Sequence, residues 1–436
     1  MEGRRRELPR VSASDLTYER FLRDFALPRV PFILEGVGSD WAASRLWHSL
    51  DHFLSHPDGA VDLTHECTIT EGDADAAERE CTVGEALRLM KARQDAPAET
   101  SAAHSTKPIY LGAWDYVRGG SAALQSDFVV PRYFERAPEW LSGHPLFGSA
   151  AIDMRWLYIG EQGSGSPTHV DTNFSSAWLF VASGEKEWVC AHGEDYALIV
   201  GAAKRREGVD GIEGAGGDGA AASGAYESAK LPNLFEVDLV NFPELSELRL
   251  YHGVQRAGEV VFNPSRCVHA VRNLSFTVSL THNFIDATNI ADAAVDAASS
   301  IHAELLPMAK ALGAKKVLKV LRESCQMKRA AIDAMLQALP TLLSDERLEE
   351  LLETAVEGAV GEGAERSAVR ALLDGHLRES LQGAADLGAS VVWGTPAGSD
   401  GVVSIRDAFG QAAQQLCEAL SLPPQPSAVL LRRCGG

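Results

Sequence analysis

The sequence predicts an α+β fold: a mainly β core of short antiparallel strands, arranged as a sandwich or barrel, with helices around it and a helical region after it. Between residues 106 and 290, aromatic and β-branched runs such as RWLYIGE, AWLFVA and GEVVFNP alternate with turn residues, which is typical of such strands. From residue 291 onward the strand pattern stops. Segments rich in Ala, Leu, Glu and Lys, such as DERLEELLETAV, have the pattern of amphipathic helices.

The composition is that of a globular protein with an acidic surface. The chain has 436 residues, of which 45% are hydrophobic, and its formal net charge is -20. An acidic surface repels nucleic acids and anionic membranes, so we expect no direct nucleic-acid binding. The seven cysteines are scattered without any CxxC spacing, which favours a reducing compartment. No apolar segment reaches the length of a membrane span, and we expect a cytoplasmic or nuclear protein without membrane contact.

The N-terminal part combines a helix and a strand. Residues 15–26, DLTYERFLRDFA, place apolar residues at helical spacing, and Pro28 and Pro31 then end the helix before the extended segment PFILEGV. We therefore divide the chain into an N-terminal flank, a β core and a C-terminal helical region, with boundaries at 1–105, 106–290 and 291–436.

Two connections in the β core stand out. Ser183 and Gly184, between the runs AWLFVA and KEWVCA, are predicted to form a two-residue hairpin turn. Residues 201–230 are rich in Gly and Ala and poor in large apolar residues, so they are predicted to be a flexible insertion. In the C-terminal region the helices are predicted to break at Pro340 and near residues 361–363.

The segment SPTHVDTNF contains the first candidate site. Residues two apart in a strand point to the same face, so His169 and Asp171 can direct an imidazole and a carboxylate to a common point. A second HxD triplet begins at His56, but its middle residue is Pro57 and Gly59 follows it, which is a turn composition. We therefore expect a metal site at the first triplet and not at the second.

The third ligand should come from a distant strand, and His269 in SRCVHAVRN is the best candidate. A hairpin is predicted to follow it, with the turn at Ser275. His269 and Thr281 would then lie opposite each other across the strand pair. This arrangement places a metal ligand and a hydroxyl on one wall of the site.

Two histidines and one carboxylate suit iron(II) in an oxygenase, because three coordination positions stay open for a chelating cosubstrate and dioxygen. Catalytic zinc would use a similar set. Lys186 favours iron, because it begins the strand after the predicted turn and can pair with the far carboxylate of a dicarboxylic cosubstrate.

The segments PTHVDTNFSSAWLFVASGEKEWV and GEVVFNPSRCVHAVRNLSFTVSLTHNF together resemble the JmjC domain of 2-oxoglutarate-dependent oxygenases of the cupin superfamily. The order of motifs is HxD, Ser-Ala-Trp, Gly-x-Lys, Gly-Glu-x-x-Phe-x-Pro, a histidine, Asn-Leu and Thr-x-Asn-Phe. PIYLGAWDY, FVVPRYF and RWLYIG also resemble the small protein-hydroxylase branch. The nearest subgroup hydroxylates a lysine of the translation termination factor. The resemblance covers residues 15 to 290.

The resemblance implies a double-stranded β-helix, or jelly-roll, core with iron(II), 2-oxoglutarate and dioxygen as cofactor and cosubstrates. Carried over residue by residue, it implies iron ligation by His169, Asp171 and His269. It also implies 2-oxoglutarate contacts from Lys186, Thr281, Ser166 and Tyr110.

Two positions depart from the family pattern. Leu179 replaces an Asn that helps to hold the cosubstrate in some relatives, so that contact is absent or replaced. Val268 stands where an aromatic residue often precedes the distal histidine, which leaves the depth and water access of the iron pocket open.

The implied reaction is hydroxylation of a protein side chain, a lysine or an arginine, with release of succinate and carbon dioxide. An acidic enzyme would attract a substrate with a basic segment. Two alternatives stay open: an N-methyl-lysine or N-methyl-arginine demethylase, and a catalytically degenerate cupin-like scaffold that binds a protein partner. A homodimer formed through the C-terminal helices is a further expectation.

Overall fold

The structure is a computed structural model that describes residues 5–56, 61–72, 78–96, 107–138, 141, 154–206, 231–293, 296, 345–357 and 364–390. Its β core consists of two sheets that face each other. This arrangement confirms the predicted mainly β core with flanking helices.

The smaller sheet has five strands in the order β1-β11-β10-β13-β8. Only the β1–β11 pair is parallel among these strands, and the other pairs are antiparallel. The strands are β1 (Arg6–Glu7), β8 (Gly165–His169), β10 (Glu185–Ala191), β11 (Leu250–Arg256) and β13 (His269–Asn273).

The larger sheet has nine strands in the order β2-β3-β12-β9-β14-β7-β6-β4-β5, and only its β2–β3 pair is parallel among the strands described. The strands are β2 (Arg10–Ser12), β3 (Phe32–Glu35), β4 (Glu66–Glu71), β5 (Glu78–Thr82), β6 (Ile109–Trp114), β7 (Arg155–Gly160), β9 (Ser176–Ser183), β12 (Val260–Asn263) and β14 (Thr277–Phe284).

Alternation along the strands creates an outer and an inner layer on each sheet. In β9, Trp178 and Phe180 pack in a hydrophobic cluster on the outer face of the larger sheet, which we call the outer cluster. Leu179 and Val181 pack in a second cluster, between the two sheets. In β10, Val189 packs outward, and Trp188 packs inward. This period of two directs one set of side chains from each sheet into the space where the candidate site lies.

The N-terminal helix covers the outer face of the larger sheet. Helix α1 (Tyr18–Phe21) begins after Thr17, whose hydroxyl accepts a hydrogen bond from the Arg20 amide. It continues as one π-helical turn, Leu22–Ala26, before β3. This confirms the predicted helix, in which Phe21 packs on Phe262 of β12 and Phe25 packs on Phe32 of β3.

Further helices pack around the same face. A capping box between Thr82 and Glu85 stabilises the start of helix α4 (Val83–Gln94), because each side chain bonds to the other residue's backbone N–H. The remaining helices of the described N-terminal and central parts are α2 (Ala42–Leu46), α3 (Leu50–Leu54), α4 (Val83–Gln94), α5 (Tyr196–Arg206), the π-helical turn Val117–Ser121 and the 3₁₀ turns Ala122–Asp127, Thr172–Phe174, Gly193–Asp195 and Pro243–Glu247.

The predicted hairpin at Ser183 and Gly184 is wrong. β9 pairs with β12 and β14, whereas β10 pairs with β11 and β13, so the turn carries the chain from one sheet to the other. Gly184 has a φ of 86°, which suits a sharp turn but does not by itself decide which strands pair. Crossing between sheets is the connection that a jelly roll requires.

The first six residues of the predicted insertion are helical. Residues 201–206 continue helix α5, and Ala202 and Ala203 are buried in the cluster on the outer face of the smaller sheet. Alanine is a good helix former and its small side chain fits under this face, so the Ala-rich composition of residues 201–206 did not indicate a flexible segment. Residues 207–230 lie outside the described residues.

Two C-terminal helices complete the outer cluster. Helix α6 (Asp345–Val356) confirms the helical pattern of DERLEELLETAV, and helix α7 (Ala364–Ser390) follows it. Pro340 and residues 361–363, where helix breaks were predicted, lie outside the described residues. Buried leucines of both helices share one cluster with α1 and β14. Nothing in the fold tests the three-part division of the chain, which stays a prediction.

Within the described ranges, none of the helices is both long enough and apolar enough to span a bilayer.

Candidate active site

A cavity lies between the inner faces of the two sheets and opens to solvent. Polar and apolar side chains share its wall. The polar ones are Tyr110, Tyr158, Ser166, His169, Asp171, Lys186, Asn263, His269 and Thr281. The apolar ones are Ala177, Leu179, Trp188 and Val271. All seven site residues that the sequence predicted therefore lie in one cavity.

The three predicted metal ligands lie together at one end of this cavity. His169 and His269 are register partners across the β8–β13 pair, and their ring centroids are 4.2 Å apart. Asp171 lies just beyond β8, in extended backbone at the start of the turn Thr172–Phe174. One donor atom from each side chain lies within 4.8 Å of the other two. The prediction that Asp171 belongs to the strand is wrong, yet the extended backbone preserves the shared direction.

Both histidines place Nδ1 against a backbone carbonyl two residues earlier. Nδ1 of His169 lies 2.8 Å from the Pro167 oxygen, and Nδ1 of His269 lies 3.0 Å from the Cys267 oxygen. A carbonyl oxygen only accepts hydrogen bonds, so these contacts assign the ring proton to Nδ1. Nε2 of each ring then keeps a lone pair, as in a neutral imidazole that binds a metal.

Asp171 is held by a strained turn. Asn173 and Phe174, which follow it, have φ values of 57° and 47° in the left-handed region. This conformation is costly for a bulky residue such as Phe174. Its ring is fully buried and packs perpendicular to Tyr196 at 4.9 Å, which anchors the turn on the outer face of the smaller sheet.

The chemistry of the three donors fits a divalent first-row transition metal. Burial first, and then the neighbouring His169, lower the pKa of His269 to about 4, although Asp171 acts in the opposite direction. The His269 imidazole is therefore neutral at pH 7 and available as a ligand. Two imidazoles and one carboxylate leave open positions on an octahedral ion.

Lys186 is buried at the other end of the cavity. Its side chain is 1% exposed, and Nζ donates to Asn273 Oδ1 at 2.8 Å and lies 5.7 Å from the Tyr110 ring centroid. Burial lowers the pKa of Lys186 to about 7. Among the hydrogen bonds and ion pairs of the described residues, no carboxylate pairs with this ammonium, so an anionic ligand would supply its counter-charge.

Hydroxyl groups also line this cavity. The Tyr110 hydroxyl lies 3.4 Å from Ser166 Oγ, and burial raises the pKa of Tyr110 to about 12, so the phenol keeps its proton. The Thr281 hydroxyl donates to the Trp178 carbonyl oxygen at 3.2 Å.

The route by which Thr281 was predicted is wrong. β13 and β14 belong to different sheets, so Thr281 is not the cross-strand partner of His269; it pairs with Trp156 and Leu179. Thr281 and His269 nevertheless line the same cavity, because the sheets that carry them face each other.

The two departures from the family pattern have different surroundings. Leu179 faces the cavity, so an apolar side chain occupies that part of the wall. Val268 is fully buried in the cluster on the outer face of the smaller sheet and is not among the cavity-lining residues. The presence of Val268 instead of an aromatic residue therefore affects the packing beneath helix α5 and not the described cavity wall.

Sequence reasoning missed three polar or aromatic residues of the cavity. Asn263 contacts Asp171 and His269, Tyr158 stacks on Tyr110 with a centroid distance of 6.0 Å, and Trp188 stacks on His269 at 5.7 Å. A signal existed for Asn263, because it shares a face with the inward Val261 and is polar where an apolar residue would pack.

His56, the described residue of the second HxD triplet, is not among the residues that line the cavity. The His56 ring packs against the His52 ring at a centroid distance of 4.9 Å, and Pro57 and Asp58 lie outside the described residues. Among the described residues, the His169, Asp171 and His269 group is the one cluster of three or more such side chains with the spacing of a metal site.

Comparison with known proteins agrees with this architecture. The profile of the cupin-like domain matches residues 18–289, which is more than half of the chain. The chain belongs to the cupin-like domain family. This membership confirms the cupin fold that the motifs implied and places the cavity inside the cupin-like domain.

Curated relatives of this cupin-like protein carry informative names. The chicken "2-oxoglutarate and iron-dependent oxygenase JMJD4" is 26% identical over 63% of this chain and 59% of its own length. The Caenorhabditis elegans "bifunctional arginine demethylase and lysyl-hydroxylase psr-1" is 26% identical over 66% of this chain and 63% of its own length. The Arabidopsis thaliana "arginine-specific demethylase JMJ20" is 23% identical over 65% and 58%, respectively. The chain thus spans less than two thirds of these relatives, and their names agree with the predicted JmjC resemblance.

Proposed function

We propose that this cupin-like protein is an iron(II)- and 2-oxoglutarate-dependent dioxygenase that hydroxylates a lysine or arginine side chain of a protein. The observation that carries the proposal is the pairing of two sites in one cavity. Three donors suited to iron converge at one end. A buried lysine without a carboxylate partner among the described residues lies at the other.

In this proposal His169, Asp171 and His269 hold the iron. When bound, iron(II) and 2-oxoglutarate activate dioxygen to oxidise a substrate C–H bond, with release of succinate and carbon dioxide. The protein orients the ligands: the carbonyl oxygens of Pro167 and Cys267 fix both imidazole rings in the metal-binding tautomer.

Lys186, Thr281, Ser166 and Tyr110 bind the cosubstrate. The Lys186 ammonium pairs with the carboxylate remote from the metal, and the Tyr110 and Ser166 hydroxyls donate to carboxylate oxygens. The Thr281 hydroxyl would do so after turning its proton away from the Trp178 carbonyl. A buried cation without a counter-charge is costly, so the carboxylate that enters this space gains more from Lys186 than it would from an exposed lysine.

The names of the relatives support two outcomes on the substrate carbon. psr-1 is named for both lysyl hydroxylation and arginine demethylation, and JMJ20 for arginine demethylation. N-methyl demethylation is therefore the second candidate, because oxidation of a methyl carbon uses the same site. A catalytically degenerate scaffold is disfavoured by the complete donor set and by Lys186.

The substrate is proposed to be a protein with a basic segment, because a net charge of -20 attracts cationic segments and raises their encounter rate. We retain a cytoplasmic or nuclear location as part of the proposal. Among the described side chains, most leucines of α6 and α7, such as Leu352 and Leu373, are buried against their own chain, so a homodimer through these helices would have to use their exposed faces.

Metal binding gives the first test. In an anaerobic titration, the wild-type protein should bind one iron(II), and His169→Ala or Asp171→Ala should abolish this binding, because each removes one of three ligands. His56→Ala should bind iron as the wild type does. Equal loss in the His56→Ala control would refute the assignment of the metal site.

The reaction gives the second test. The protein is incubated with iron(II), 2-oxoglutarate and a host-cell extract, and modified peptides are mapped by mass spectrometry while succinate is measured. We expect a gain of one oxygen on a lysine or arginine that depends on Asp171. Loss of a methyl group with formaldehyde release would identify the demethylase, and absence of 2-oxoglutarate turnover would favour the scaffold.

A further inference from the structure

We propose that Asn263 is a positioning residue that holds the Asp171 carboxylate in its metal-binding orientation; this inference rests on the function proposed above. Asn263 ends strand β12, is 3% exposed and lines the cavity. It pairs in register with Ala177 of β9, which is also a cavity residue. Its amide therefore lies on the inner face of the larger sheet, opposite the histidines of the smaller sheet.

The amide nitrogen of Asn263 contacts two of the three donors. Nδ2 donates to Asp171 Oδ2 at 2.7 Å and lies 3.1 Å from His269 Nδ1. The Nδ1 proton of His269 is directed to the Cys267 oxygen, so the hydrogen bond to Asp171 is the one that the amide makes in the metal-binding tautomer. This bond restricts rotation of the carboxylate and leaves Asp171 Oδ1 available to a metal.

The amide oxygen of Asn263 indicates which contact sets the orientation. Oδ1 is buried and has no hydrogen-bond partner among the described residues. Rotating the amide by half a turn would place Oδ1 at the Nδ2 position, 2.7 Å from the Asp171 carboxylate, where two acceptors repel. The amide is thus oriented for the hydrogen bond to Asp171, although its buried oxygen stays without a partner. An amide with a purely structural role would instead be expected to pair its buried oxygen.

Local folding does not explain an asparagine at this position. Asn before Pro264 commonly bonds to the backbone of its own turn. Here the turn is closed by the Cys267 amide donating to the Pro264 oxygen, and the described side-chain contacts of Asn263 go to the metal-site residues instead. The inward residue before it, Val261, packs in the apolar inner cluster. An apolar residue would therefore satisfy the fold at position 263.

The chain offers a matched control for this amide. Asn283 on β14 is the register partner of Ala177 from the opposite side and is also buried, at 8% exposure. Its Nδ2 donates to Ser175 Oγ at 3.0 Å, and no described hydrogen bond joins it to the proposed ligands. Asn263 and Asn283 thus share strand environment and burial but differ in contact with Asp171.

The test measures cobalt(II) affinity from visible absorption, together with the melting temperature of the metal-free protein. For Asn263→Leu we expect a dissociation constant raised about 10–100-fold. The metal-free melting temperature should be equal to or above that of the wild type, because the unpaired buried oxygen is removed as well. Asn283→Leu should keep wild-type cobalt affinity. If Asn263→Leu fails to fold, Asn263→Ala removes the same amide without a branched side chain and gives the same metal readout.

Wild-type cobalt affinity in the Asn263 variant would overturn the inference. So would an equal loss of cobalt affinity in Asn283→Leu. The third contrary result is a weakened cobalt affinity in the Asn263 variant together with a lowered metal-free melting temperature, because general destabilisation would then explain the loss. His169→Ala in the same titration tests the proposed metal site separately from the role of Asn263. If His169→Ala also keeps wild-type affinity, the proposed metal site itself is wrong. If it abolishes binding while Asn263→Leu does not, only the role of Asn263 is wrong.

Discussion

At the scale of single residues, Lys186 shows how burial prepares a group for a charged ligand. Its ammonium is surrounded by the sheets, with an amide oxygen from Asn273 and the ring of Tyr110 beside it. Neither group carries a negative charge, so burial holds the pKa of Lys186 at about 7. A carboxylate that binds here favours the protonated amine, and binding should therefore raise the pKa of Lys186.

This coupling predicts a pH dependence of cosubstrate affinity. The free protein loses the Lys186 proton as the pH rises through about 7, whereas the complex keeps it, so the dissociation constant for 2-oxoglutarate should rise by about tenfold per pH unit above that value. Lys186→Met should weaken binding at pH 7 by about 3 to 5 kcal/mol, because an anionic ligand would lose its buried partner. The variant should also lose this pH dependence.

Calorimetry under anaerobic conditions at several pH values, with iron(II) bound, measures both effects. Iron binding should be unchanged in Lys186→Met, which serves as the control that the metal site is intact. Parallel pH profiles for the wild type and the variant would show that another group titrates.

Residue chemistry was the most predictable level from sequence. His169, Asp171, His269 and Lys186 were identified because their types and order carry a specific chemistry. Asn263 was missed, because its role depends on which strands of two sheets face each other, and one strand's alternation does not contain that information.

At the scale of elements, the chain reverses between strands that do not pair. Ser183 and Gly184 connect β9 and β10, and Asn273 is followed by a similar crossing to β14. Short loops between strands usually indicate hairpins, which is why sequence favoured hairpins at both places. The pairing depends on long-range contacts between strands that are distant in sequence, and these are invisible in the local pattern.

The crossing between the sheets leaves no space for a side chain at Gly184. Its φ is 86°, and an added Cβ would lie 2.1 Å from the Phe276 carbonyl oxygen. Gly258 is a matched control, since its φ is 87° but an added Cβ would meet nothing closer than 3.9 Å. Gly258→Ala should therefore cost only the left-handed conformation, roughly 1–2 kcal/mol. Gly184→Ala should cost about 1–3 kcal/mol more, because the backbone must move.

Urea unfolding of both variants measures these costs as free energies of unfolding. Similar values for Gly184→Ala and Gly258→Ala would contradict the close approach between the turn and Phe276. A selective loss in Gly184→Ala would support the crossing between sheets over a hairpin.

At the scale of the whole molecule, the cupin-like domain and the C-terminal helices share one core. The Arg136 guanidinium donates to the Glu357 carbonyl oxygen at 2.8 Å, and His376 Nε2 lies 3.0 Å from the Thr288 carbonyl oxygen. Sequence predicted that this region is helical but could not show where it packs. Amphipathic spacing identifies an apolar face and leaves its partner undefined.

The shared core predicts that damage to α7 destabilises the cupin-like domain. Leu373 is fully buried in the cluster that contains α1 and β14, whereas its neighbour Leu372 is only partly buried. Leu373→Ala should lower the free energy of unfolding by about 2–5 kcal/mol, because it removes buried methyl groups and leaves a cavity. Leu372→Ala makes the same chemical change on the same helix and should lower the free energy of unfolding clearly less.

Thermal unfolding followed by near-ultraviolet circular dichroism reports on the tryptophans of the β core, such as Trp178, which lie outside α7. If Leu373→Ala leaves that transition unchanged, α7 folds independently of the β core; a lowered, single transition means that the helices and the sheets that hold the site unfold as one unit.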